Sequence, residues 1–152
     1  MVITLQTARI VDSIKTISHR ELAVAVPDVD IRYKMEAGSE KMVEVNRCIL
    51  EAIGRVRRRC SRFLADQFAS GANNAVSLPE NYNFEFIFSE RRATNKAESL
   101  AAAMHDFVVE YALSKFYSIV SQGELSNKHS ILALSAGEEI DNLIYKKNPP
   151  RI

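Results

Sequence analysis

Apolar residues recur along this chain at two different periods, and the changes between them divide it into elements. Over residues 4–18, Leu5, Ala8, Val11, Ile14 and Ile17 return at steps of three, with Arg9, Asp12 and Lys15 on other faces. That spacing predicts a short amphipathic helix. Residues 19–38 carry no comparable stripe. The apolar run from Leu22 to Val26 meets Pro27, which disfavours helical geometry at Val26. Asp28, Asp30 and Gly38 are turn formers. An irregular connection is expected there, with an extended piece over residues 29–33 and a helical turn after it.

A long helix is expected over residues 40–69, with Ser39 as its N-cap. Its seam is Met42, Val45, Ile49, Ile53 or Ala52, Val56, Cys60, Phe63 and Gln67 or Phe68, and steps of three and four suit packing along another long helix. Gly71 supplies a left-handed stop. Residues 72–81 read as a loop closed by Pro79. Then Tyr82, Phe84, Phe86 and Phe88 alternate with mostly polar neighbours, the pattern of a strand over residues 82–90. Its backbone needs a partner, either residues 31–33 or a neighbouring subunit. Asn95 and Glu98 form a candidate capping box for a second long helix over residues 96–122, stopped by Gly123. The apolar surface of that helix, including Leu100, Met104, Phe107, Val108, Tyr111 and Phe116, is too broad for a single partner. Ser126 is the expected cap of a last helix over residues 127–145, where Ala133, Ala136 and Gly137 permit close approach of another helix. Pro149 ends it, and Pro149–Pro150 favours an extended tail.

The fold expected is therefore mainly α: a bundle of about four helices, two of them long, with a short strand or hairpin around residues 82–92. Residues 1–145 form a single helical domain, and residues 146–152 a basic C-terminal arm.

Composition narrows the chemistry. With 152 residues, of which 47% are hydrophobic and 26% charged, the chain can bury a core without a disulfide or metal. A net charge of +1 predicts no nucleic-acid or membrane partner from overall electrostatics, so any such partner must meet a local patch. Cys48 and Cys60 are twelve residues apart on one expected helix, too far apart for a disulfide and wrongly spaced for zinc. They read as free thiols in a reducing compartment. No secretory leader and no membrane-spanning run is recognised.

The sharpest local feature is an arginine run. At about 100° per residue, Arg55, Arg58, Arg59 and Arg62 share one helical face, while Arg47 and Arg57 lie off it. Such a face suits phosphates or an acidic partner. The plainer alternative is a solvated face paired with Glu90, Glu98 or Glu110 of a neighbouring helix. His19, His105 and His129 fall in separate segments, and His105 and Glu110 miss the i, i+4 register that brings two ligands together. No nucleophile elbow, phosphate-cradling glycine loop or metalloprotease motif occurs. No catalytic, cofactor-binding or metal residue is therefore assigned. The aromatic segment Tyr82, Phe84, Phe86 and Phe88 is expected in the core or at a subunit interface rather than as a base-stacking platform.

The order of parts resembles the small helical head–tail connector, or neck adaptor, proteins of tailed bacteriophages. It is carried by the helix over residues 4–18, the long helix over 40–69, the aromatic segment over 82–90 and the second long helix with the text AESLAAAMHDFVVEYALSKFYSIV. A last helix then ends in the tail KKNPPRI. The segment over residues 19–38 has no counterpart. The resemblance implies a virion protein, assembled in the host cytoplasm, that forms a homo-oligomeric ring between portal and tail proteins around the channel through which DNA leaves. It also implies that Lys146, Lys147, Pro149, Pro150 and Arg151 belong to an arm laid on a neighbour. The competing reading is a helical nucleic-acid-binding or regulatory protein that uses the arginine face. An enzyme with an unrecognised site is the third class.

Overall fold

The computed structural model describes residues 1–65, 77–88 and 90–145; at residues 39 and 90–95 only the backbone is described. It is mainly helical, with a two-stranded antiparallel sheet, as the patterning predicts. The elements are β1 (Val2–Gln6), α1 (Thr7–Ala25), α2 (Val29–Met35), α3 (Met42–Cys60), β2 (Asn81–Glu85), α4 (Glu90–Ile119) and α5 (Gly123–Tyr145), with single 3-10 turns at Ser39–Lys41 and Ser61–Phe63.

The first correction concerns the N-terminus. Residues 2–6 form a strand and not the start of a helix. Leu5 fits both periods, but Ile3 and Leu5 alternate with exposed Val2, Thr4 and Gln6, so the period of two applies here. The second correction follows from the first, because β1 is the partner that the aromatic strand requires. It pairs in the register Ile3↔Phe84 and Leu5↔Tyr82. On the outer face Thr4 donates to Asn83 Oδ1 at 2.8 Å. The other edge of the aromatic segment is also met from within the chain: Ala65 N–H donates to Glu85 O at 2.9 Å, and Ile87 N–H to Phe63 O at 2.7 Å. These bonds draw residues 63–65 out of helical geometry, so α3 ends at Cys60 and not near residue 69. The expected stop at Gly71 lies outside the described residues.

α1 begins where β1 ends and runs to Ala25, burying Ile10, Ile14, Ser18 and Leu22 along one seam. The Leu22–Val26 run is therefore helical almost to its end. Val26 then turns extended before Pro27, as the proline rule requires. Residues 29–33 are helical and not extended, because Asp28 caps α2 by accepting from Asp30 N–H at 3.0 Å and Ile31 N–H at 3.3 Å. α3 buries Val45, Ile49, Ala52, Ile53, Val56 and Cys60 of the predicted seam and adds Cys48; Met42 and Phe63 are only half-buried, and Gln67 and Phe68 lie outside the described residues. α4 starts at Glu90, so Asn95 lies inside the helix and is no cap. Its broad surface (Leu100, Met104, Phe107, Val108, Leu113, Phe116 and Tyr117, all buried) packs against α1, α3, α5 and β1.

The α4–α5 turn also differs from expectation. α5 starts at Gly123, and Ser126 lies within it, donating to Ser114 O at 2.9 Å. The left-handed residue that stops α4 is Ser121, with φ 61°, and Gln122 N–H closes the turn on Tyr117 O at 2.8 Å. A left-handed conformation costs a non-glycine residue roughly 1–2 kcal/mol. Exchanging exposed Ser121 for glycine should therefore raise the unfolding free energy by about 1 kcal/mol, measured by urea denaturation. An unchanged or lowered midpoint would contradict the turn geometry.

Candidate functional site

α3 and α5 both lie against α4, and between them a groove of about 540 Å³ remains open. Three members of the arginine run, Arg55, Arg58 and Arg59, line it. Arg55 and Arg58 are exposed at its rim, and half-buried Arg59 with exposed Lys115 of α4 completes the basic lining. The floor is aromatic. Arg59 lies 5.7 Å from the Phe107 ring centroid, while Arg55 and Lys115 lie 5.9 Å and 5.7 Å from that of Tyr111, within cation–π range. Ser114, Ser118, Ser126 and Ser130 add hydroxyls, and Ala133 and Leu134 add apolar surface.

Only part of this charge is neutralised. Arg59 holds Asp141 of α5 through two bonds, Nε to Oδ1 at 2.9 Å and Nη2 to Oδ2 at 3.1 Å. The partner is thus neither Glu90, Glu98 nor Glu110. Lys115 lies 3.8 Å from Glu51, which also accepts from Tyr111 at 2.7 Å. Burial and that bond push the Tyr111 hydroxyl above its usual range. Arg55 and Arg58 have no ion pair among the described residues. Arg62 is exposed on the 3-10 turn after α3 and does not line the groove. Arg57 lies off the face, as expected, 4.6 Å from the Phe84 ring centroid.

Gly137 has a role that its small size only hinted at. A Cβ there would sit 2.7 Å from the Arg59 guanidinium carbon, so the glycine makes room for a cation rather than for another helix.

The aromatic segment contributes to the core. Tyr82, Phe84 and Phe86 are buried and Phe88 half-buried, so the first three are not available as an interface. Lys146, Lys147, Pro149, Pro150 and Arg151 lie outside the described residues. Cys48 and Cys60 are buried free thiols, and desolvation pushes them up to about 11 and about 12.

A second cluster has no motif in the sequence. His129 of α5, only 3% exposed, lies between Glu110 of α4 and Glu21 of α1. Nδ1 meets the Glu110 carboxylate, and Nε2 lies 2.5 Å from Glu21 Oε1. Glu21 also accepts from Lys128 at 2.8 Å and from Tyr117 at 3.1 Å. Burial alone would lower the His129 pKa and raise that of Glu21. The hydrogen bonds and charges reverse both, raising His129 and lowering Glu21. Both ring nitrogens are engaged, so the imidazolium acts as a bridge between two carboxylates with no free nitrogen for a substrate. The available sequence signal was a polar residue on the buried stripe His129, Ala133, Gly137, Ile140 and Ile144. His105 lies elsewhere, beside Ser13 at 3.4 Å, and burial lowers its pKa.

Comparison with protein-family models, with curated proteins and with solved structures gives no match.

Stability contributed by protonated His129 is complete below its ordinary pKa of ~6.5 and is lost as pH rises through its elevated folded value. The Glu21 contribution is lost as pH falls through that group's lowered value. His129→Gln should therefore cost about 3–5 kcal/mol at pH 6 by leaving the Glu110 carboxylate without its cation and Glu21 with Lys128 alone, with the deficit shrinking as pH rises. Denaturant titrations of both proteins from pH 5 to 9 test this; a constant deficit would contradict it. At the groove, Gly137→Ala gains helix propensity but displaces Arg59 from Asp141, and the two effects should offset to within about 1 kcal/mol. The diagnostic is Asp141→Asn, which should destabilise the parent and leave the Gly137→Ala protein unchanged.

Proposed function

We propose that the chain is a structural protein of a tailed-phage virion, a ring-forming adaptor between portal and tail. The observation that carries this reading is a set of apolar side chains left bare on two separate parts of a domain whose strands are already paired internally. Val24, Val29, Ile31 and Tyr33 are 83%, 57%, 52% and 75% exposed at the α1–α2 corner, and Ile131 and Leu134 are 68% and 60% exposed on α5 beside the basic groove. Single exposed apolar residues are ordinary, whereas grouped ones mark contact surfaces. A ring built head to tail needs two different surfaces on each copy, and these two groups supply them. The internally paired aromatic strand is not one of those surfaces. In this reading the chain has no catalytic role, its place is the virion, and residues 146–152 form the arm that reaches a neighbour. The order of helices shared with neck adaptors supports the same reading.

A second reading is favoured by one observation. Arg55 and Arg58 are exposed without an ion pair among the described residues, beside aromatic side chains, as a nucleic-acid contact would require.

Negative-stain microscopy of the purified chain, alone and with portal protein, separates these readings. The adaptor reading predicts annular particles of uniform size. A strict monomer at all concentrations, with no capture of portal or tail protein, would overturn it. Salt-dependent DNA binding that is lost on Arg55→Glu with Arg58→Glu would favour the second.

A further inference from the structure

We propose that the α3–α5 groove receives the α2 corner of a second copy of this chain. The inference rests on the ring reading and names the two surfaces that would meet.

α2 is a seven-residue helix with no buried residue. An isolated helix of that length is not stable on its own propensity. Here it is held by the Asp28 cap and presents Val29 and Tyr33, one turn apart, on one exposed face, with exposed Ile31 on the opposite one. The groove offers complementary chemistry: an aromatic floor at Phe107 and Tyr111, an apolar wall at Leu134, and room for a few large side chains within its 540 Å³. Charge orients the fit. The N-terminal end of α2 carries exposed Asp28 and Asp30, and the rim of the groove carries Arg55 and Arg58. Arg32 of α2 is already neutralised by Glu36 at 3.6 Å, and Lys34 lies towards the opposite end of the helix. Docking with the acidic end against the arginines therefore pairs the exposed charges of both surfaces while covering Val29, Tyr33 and Leu134. Because plug and groove are different residues, each copy retains one of each after the contact forms, and copies can continue to add until a ring closes.

The test is complementation between two variants of the full chain. One carries Arg55→Glu with Arg58→Glu and so lacks the groove rim. The other carries Val29→Lys with Tyr33→Lys and so lacks the plug. All four residues are exposed, and thermal unfolding of each variant checks that the fold is intact. Sedimentation velocity should show each variant associating at least about thirtyfold more weakly than wild type, as loss of a central interface contact does. Mixed in equal amounts, the two should form a dimer through the one intact plug and groove, and nothing larger. Rings that form normally from either variant, or a mixture that remains monomeric, would overturn this contact while leaving ring formation itself in place. A wild-type chain that never associates would instead remove the ring reading, and this contact with it.

Discussion

The structure depends on the breadth of the apolar surface of α4. Leu100, Met104, Phe107, Val108, Leu113, Phe116 and Tyr117 are all buried, and no single helix could cover them. α1, α3, α5 and β1 share the work. Burial of a large side chain is worth roughly 1.5–3 kcal/mol relative to exposure, so this helix is the organising centre of the core. The groove between α3 and α5 is a consequence of the same geometry. Both helices lie against α4 and are held to each other at one end by Arg59, Asp141 and Tyr145, which donates to Arg59 O at 3.3 Å. Elsewhere the gap remains open, and it is lined with cations.

Polar side chains fix which helices pack together. His129 joins α1, α4 and α5 through Glu21, Glu110 and Tyr117. A buried imidazolium between two carboxylates tolerates no exchange of neighbours, since any other arrangement would leave a buried charge without a partner. The Arg59–Asp141 pair performs a similar task for α3 and α5 at lower cost, because both groups remain partly exposed. Gly137 belongs to that pair, since only the absence of a side chain there lets the guanidinium reach its acid.

The helical class, the α3 seam, the aromatic strand and the free cysteines were legible in the sequence because each rests on a periodicity or spacing that local geometry enforces. The N-terminal strand was not. Leu5 satisfies both a helical and a strand period, and five residues are too few to discriminate without knowing that β2 needs a partner. Nor is α2 legible as a helix, because its cap, Asp28, signals a turn as readily as a helix start. The Ser121 stop is masked by Gly123, the residue better suited to a left-handed conformation. The shared face of Arg55, Arg58 and Arg59 could be read from helical spacing, but the acid opposite Arg59 lies 82 positions away, and no local pattern reports such a distance. The His129 bridge was hidden for the same reason, since its partners come from two other helices.

The central claim is that the groove beside α5 is open in the isolated chain and covered in the assembled particle. The most direct measurement is thiol labelling of a Leu134→Cys protein, since the native Cys48 and Cys60 are buried with strongly raised pKa values and react slowly. The account predicts rapid modification of the free chain and strong protection within assembled particles. Equal labelling rates in the two states would contradict it.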